Sequence, residues 1–216
     1  MAITFVGSLG LAVAVRQSHT DHFTPEAIDN ADLWYTMPYD PINDEGYREM
    51  QKQDLGAADI VVRVTVLDEM ILKYSSMSCM LKILDVYKGD VSVGETIEFY
   101  EPNFFALNTE TNKVGSYNNA VTTMMKEGEE YILFACRNKS YCDYYTDYVG
   151  YKVYNPASYV LTYFAVRDLE NKLTLAEDGE VTFKEIKDSE FVFFWKQDEI
   201  SITRYKKAVM KKFASE

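Results

Sequence analysis

Histidine is nearly absent from this chain, cysteine is rare, and basic residues are outnumbered by acidic ones. The 216 residues include two histidines and three cysteines, with 22 Lys and Arg against 34 Asp and Glu. Both histidines, His19 and His22, fall near the N-terminus, so the body of the chain lacks the commonest general base. They form a His-x-x-His with Asp21 between them, but zinc needs three or four ligands in a held geometry and nothing nearby supplies the others. The pair reads as part of a solvated linker, and neither a metal nor a cofactor is expected. Cys79, Cys136 and Cys142 have no His or Asp companion in a recognisable motif, which removes the case for a cysteine nucleophile. The net charge of −12 argues against a nucleic-acid partner, whose affinity comes from neutralised phosphates.

What the chain does have is apolar and aromatic material, 47% and 14% of its residues, enough for a real core and against global disorder. Period-two alternation predicts four strands, over 59–67, 77–87, 96–100 and 131–136. In the first, Ile60, Val62, Val64 and Val66 share one face. In the second, Met77, Cys79, Leu81 and Ile83 share a face and the phase then shifts to Leu84 and Val86. A one-residue slip sends side chains to the opposite face, so a bulge at Ile83-Leu84 is predicted, with the sharp bend that a small closed barrel needs. The third strand points Ile97 and Phe99 inward and Thr96, Glu98 and Tyr100 outward. The fourth is apolar on both faces, which predicts cover on both.

An Ala-Asp-Ile-Val-Val opening at 58–62 begins a series of turn-and-strand patterns. It continues with Asp-Val-Tyr-Lys-Gly-Asp at 85–90, Gly-Glu-Thr-Ile at 94–97 and Gly-Glu-Glu-Tyr-Ile-Leu-Phe at 128–134. In this order they resemble uncharacterised bacterial cell-surface proteins whose domain is similar to the OB-fold of tissue inhibitors of metalloproteinases and netrins. The likeness covers roughly residues 54–136. It implies a mainly β (α+β) chain: an OB-fold-like small β-barrel with an inserted loop, an N-terminal arm and a C-terminal helix. The inhibitors use an N-terminal cysteine to chelate zinc. Here every cysteine lies far from the N-terminus, so protease inhibition is not implied.

The expected plan has four parts. Residues 1–15 are an apolar run of signal or anchor type, with a buried first strand or helix as the alternative. Residues 16–56 form an arm, with a short helix over 44–53 capped by Asn43. Trp34, Tyr35, Met37 and Tyr39 are expected to pack on the barrel, which occupies 57–195. Within it, 101–125 reads as a long, Asn-rich surface connection, and 159–167 and 172–176 as two strands joined by a polar turn. Residues 196–216 carry an amphipathic helix over 199–213, capped by Asp198. Its stripe of Ile202, Tyr205, Val209 and Phe213 faces the barrel, with Lys206, Lys207, Lys211 and Lys212 on the opposite side.

The candidate binding surface is the tyrosine-rich insertion at 141–154: Tyr141, Tyr144, Tyr145, Tyr148, Tyr151 and Tyr154, with Phe104 and Phe105 at the barrel mouth. Tyrosine offers a rigid flat face and a polar tip, suited to sugars, peptides and protein partners. Asp143 and Asp147 could add acceptors for hydroxyls or a weakly held calcium. Against this, the rings could simply cap the barrel. In an exported chain Cys136 and Cys142 could form a disulfide. The reading is an extracytoplasmic, non-catalytic module for a protein, peptide or glycan at the cell surface, touching the membrane only through its N-terminal segment. The alternatives are a carboxylate-dependent hydrolase of envelope material and a single-strand-binding OB domain.

Overall fold

The computed structural model describes residues 22–35, 46, 49, 55–68, 71–73, 76–118, 121–138, 150–158, 161–173, 181–193 and 196–214. Helix α1 (Pro25–Asp29) and strand β1 (Asp32–Tyr35) come first. Strands β2 (Ile60–Val66), β3 (Ile71–Lys73), β4 (Ser76–Lys88) and β5 (Thr96–Tyr100) follow. A hairpin of β6 (Phe104–Asn108) and β7 (Lys113–Asn118) leads to β8 (Glu130–Arg137), β9 (Lys152–Pro156) and β10 (Tyr163–Ala165). Then come β11 (Lys172–Leu173), α2 (Phe183–Ile186), β12 (Val192–Phe193) and α3 (Lys196–Phe213).

Five strands close into a barrel in the order β8-β2-β4-β5-β9, with β9 pairing back onto β8. All neighbours are antiparallel except β5 and β9, which run parallel with Phe99 opposite Tyr154. This is a small β-barrel of OB-fold-like design. Strand β10 continues along the β8 edge that β9 leaves, placing Tyr163 opposite Leu133. The predicted bulge is present: Val64 pairs with Ile83 and Arg63 with Asp85, so Leu84 has no opposite residue. A second irregularity skips Tyr87, between Lys88 and Val86. The extra residue Leu84 lets Cys79, Leu81 and Ile83, and then Val86, pack on one core along a single bent strand.

Strand β8 is covered on both faces, as its composition requires. Tyr131, Leu133 and Ala135 enter the barrel core, while Ile132 and Phe134 join a second cluster with Phe164, Phe191, Phe193, Ile202 and Val209. Helix α3 therefore packs on the barrel through the predicted stripe. It begins at Lys196, however, so Asp198 lies buried inside the first turn instead of capping it. Lys206 is also buried, not solvated. In the third strand Ile97 and Phe99 point into the core, but Glu98 is fully buried instead of outward in water. Its neighbour in β9, Val153, is buried beside it, so that face of the sheet is covered.

The arm adds to the fold: Thr24 caps α1 by accepting from Ala27 N at 3.2 Å, and β1 pairs in parallel with β7. Two further expectations change. The Asn-rich connection is not a surface loop. It folds as the β6–β7 hairpin, which with β1 makes a three-stranded sheet, and residues 121–125 are buried throughout. The hairpin turns at Asn112, whose φ of 55° is one that asparagine tolerates. Lastly, β10 and β11 do not pair with each other. β10 extends the barrel sheet along β8, whereas β11 pairs in parallel with β12 in a two-stranded sheet of its own.

Residues 1–15, His19, Met37 and Tyr39 lie outside the described residues, as does the expected helix over 44–53 apart from Gly46 and Glu49. No described helix is long and apolar enough to cross a membrane.

Candidate functional site at the end of the barrel

The hairpin, the arm and α2 meet over the end of the barrel at which β4 begins. Pro25 starts α1 behind the Thr24 cap. A capping box of Thr182 and Glu185 starts α2. These short helices hold Ile28 and Phe183 over Met77 of β4 and Phe105 of β6. Met124 and Met125 complete the wall of a pocket of about 320 Å³. Phe105 and Phe183 meet edge to face with centroids 4.8 Å apart. At the rim, Lys187 Nζ lies 2.7 Å from Asp29 Oδ1 and Lys126 Nζ 3.5 Å from Asp188 Oδ1. The volume is small for a ligand site and suits one large apolar group. Methionine walls adapt to such a group because the thioether chain is flexible and polarisable.

Behind the pocket lies a buried polar network. Glu101 Oε1 accepts from Met125 N at 3.1 Å, and Glu101 Oε2 is 2.7 Å from Tyr163 Oη. Tyr163 Oη also donates to Thr123 O. Thr123 N donates to Glu190 O at 2.9 Å, and Asn103 Nδ2 to Thr122 O at 2.6 Å. Burial pushes the Glu101 carboxyl up to about 8, against the partial relief of its bonds to Tyr163 and Met125. Burial likewise raises the hydroxyls of Tyr163 and Tyr131 above their ordinary range.

A second buried carboxyl, Glu190, accepts from Ala165 N at 2.9 Å and pairs with Lys206 Nζ at 2.6 Å. Burial raises its pKa and Lys206 opposes that rise. Both carboxyls are thus satisfied from within the protein. A larger groove of about 530 Å³ runs between α3 and the barrel, past Val61, Phe134 and Val209. Its closing contact is Tyr87, whose ring lies 5.0 Å from that of Phe213 and whose hydroxyl donates to Phe213 O. This groove is the seam along which the helix is seated.

Of the residues picked from sequence, Phe105 is a wall of the pocket and 3% exposed. It is buried, not a surface ring. Phe104 is half-buried and stacked on Tyr117 at 5.2 Å. Tyr154 is a correction: it is 2% exposed in the barrel core, because β9 closes the barrel and turns this ring inward beside Phe99. Tyr151 is half-buried. Tyr141, Tyr144, Tyr145 and Tyr148, with Asp143 and Asp147, lie outside the described residues. Cys136 is a free thiol with Sγ 3.9 Å from Ala57 O, and Cys142 lies outside the described residues. His22 is half-buried, its companion His19 is not described, and no metal-holding cluster of His, Cys, Asp or Glu occurs among the described residues.

Sequence reasoning missed Met77, Met124, Phe183, Glu101 and Tyr163. The one available signal was the run Val121-Thr122-Thr123-Met124-Met125, too apolar for an exposed loop. Compared with known proteins, the chain matches no family model and no curated protein sequence.

Proposed function

We propose that this chain is an extracytoplasmic, non-catalytic binding module whose barrel-end pocket receives an apolar side chain of a protein or peptide partner. The observation that carries this reading is the pocket itself: three methionines and two phenylalanines form an apolar chamber ringed by ion pairs. An apolar anchor in a desolvated pocket with a polar rim is the pattern of interface hot spots. The internal bonding of Glu101 and Glu190 supports binding over carboxylate-driven hydrolysis, which needs two acids free to face a substrate. The strands that the tyrosine-rich connection joins meet it at the other end of the barrel, where Arg137 N donates to Asp59 and Lys152 Nζ to Asp90 O, so the pocket and that connection are separate candidates and the pocket is the one proposed. The resemblance to bacterial cell-surface proteins supports a place outside the cytoplasmic membrane.

A displayed random-peptide library, panned on the folded chain, tests this. Enriched peptides should share a large apolar residue. They should lose about tenfold or more in affinity, about 1.4 kcal/mol, against Met124→Lys, with folding checked by circular dichroism. Peptides that bind Met124→Lys and the parent equally would place recognition elsewhere.

A further inference from the structure

The network behind the pocket contains more acceptors than hydrogens if Glu101 is ionised. Tyr163 Oη stands 2.7 Å from Glu101 Oε2 and also against Thr123 O. A phenol carries one hydrogen. Thr123 O is a carbonyl and can only accept, so Tyr163 must donate to it. An ionised Oε2 would then face the lone pairs of Tyr163 Oη, oxygen against oxygen. A proton on Oε2 removes the conflict. The acid donates to Tyr163, Tyr163 donates to Thr123 O, and Oε1 accepts from Met125 N at 3.1 Å.

We infer that Glu101 is a neutral, proton-donating carboxylic acid in the folded chain, and that losing this proton loosens the 121–125 run that walls the pocket. The inference concerns the wall alone and does not depend on what the pocket binds. The groups facing Glu101 supply no cation to hold a charge there. Cys79 of β4, Tyr131 of β8 and Tyr163 of β10 all interact with it, and burial keeps all three neutral. Lys126 gives its backbone N–H to Tyr131 Oη, while its Nζ is turned to Asp188 at the rim. Glu190, which also acts on Tyr131, is matched by Lys206.

Ionisation would draw the Tyr163 hydrogen to Glu101 and strip Thr123 O of its donor. A buried carbonyl without a partner is costly, and so is an unpaired buried charge. Thr123 sits mid-run, where Thr123 N to Glu190 O and Val192 N to Val121 O tie the segment to the chain around β12. Met125 both lines the pocket and donates to Glu101, so wall and proton are linked directly.

The sign follows from linkage. The folded carboxyl, at about 8, stands above the ordinary value of 4.5. Stability from the neutral acid is therefore complete below about 4.5, falls as pH rises, and is gone above about 8. Hydrogen exchange at the Thr123 and Met125 amides, corrected for intrinsic rates, should show protection falling by up to about tenfold per pH unit across that window. Glu101→Gln copies the neutral acid, its amide donating to Tyr163 and its oxygen accepting from Met125. It should fold, keep the protection and lose the pH slope. Tyr163→Phe removes the relay and should lower protection at every pH. An unchanged slope in Glu101→Gln, a flat profile in the parent chain, or failure of Glu101→Gln to fold would each overturn the inference.

Discussion

Lys206 Nζ lies 2.6 Å from Glu190 Oε2, and both side chains are almost wholly enclosed. The C-terminal helix is thereby fastened to the barrel by charge as well as by its apolar stripe. Glu190 reaches past the helix to accept from Ala165 N of β10, so a single carboxylate joins α3 to the strand that continues the barrel edge. Lys206 reaches Asp168 Oδ1 as well, at 3.4 Å, but Asp168 is fully exposed and contributes little.

Breaking this pair from one side should be expensive. Lys206→Met leaves a buried carboxylate without its cation and is expected to cost about 3–5 kcal/mol in chemical denaturation. Replacing both partners, as in Lys206→Met with Glu190→Leu, should recover much of that loss, although Ala165 N then lacks its acceptor. A single-variant cost under about 1 kcal/mol would mean that water reaches the pair.

The half-exposed Arg63 makes a contrast. Its guanidinium lies 2.6 Å from Glu130 and 3.6 Å from Asp85, and its pKa is raised first by the Glu130 bond. Arg63→Gln is expected to shift stability by only about 0–1 kcal/mol. That difference should shrink further at about 1 M salt, measured as the change in thermal midpoint.

Gly89 closes the turn after β4 with φ at 103°, and a Cβ there would stand 2.5 Å from Asp59 O. Gly89→Ala therefore meets backbone as well as a strained dihedral and should cost more than about 1–3 kcal/mol. Gly128 has φ of 77°, and a Cβ at that position would find nothing within 4 Å, so Gly128→Ala should cost about 1–2 kcal/mol, the dihedral alone. Equal losses in thermal unfolding would show that the Asp59 contact is relieved at no cost.

Tyr154 separates core from surface. Tyr154→Ala removes a ring from the barrel interior and is expected to cost about 3–5 kcal/mol, whereas an exposed ring would cost within about 0.5 kcal/mol. Urea denaturation of this variant decides between the two.

The barrel was legible because its signal is local. Alternation located β2, β4, β5 and β8, and the phase shift at Ile83-Leu84 located the bulge. What alternation cannot register is a partner far along the chain. Glu98 reads as outward on its own strand and is buried by what lies over Val153. Lys206 reads as solvated on a helical wheel and is buried because Glu190 awaits it. Tyr154 reads as one of a series of rings until β9 is seen to close the sheet. The pocket was less legible still, since Ile28, Met77, Phe105, Met124 and Phe183 come from five separate segments and none carries a motif.

Because β9 pairs with β5 on one side and β8 on the other, its five residues leave the ring of strands without a free border. Lifting that one short piece away would bare two rows of unpaired amides and carbonyls at once, one parallel-facing and one antiparallel-facing. Such borders are templates for other chains. A nearly complete barrel with that single stave missing would therefore carry two such templates at once.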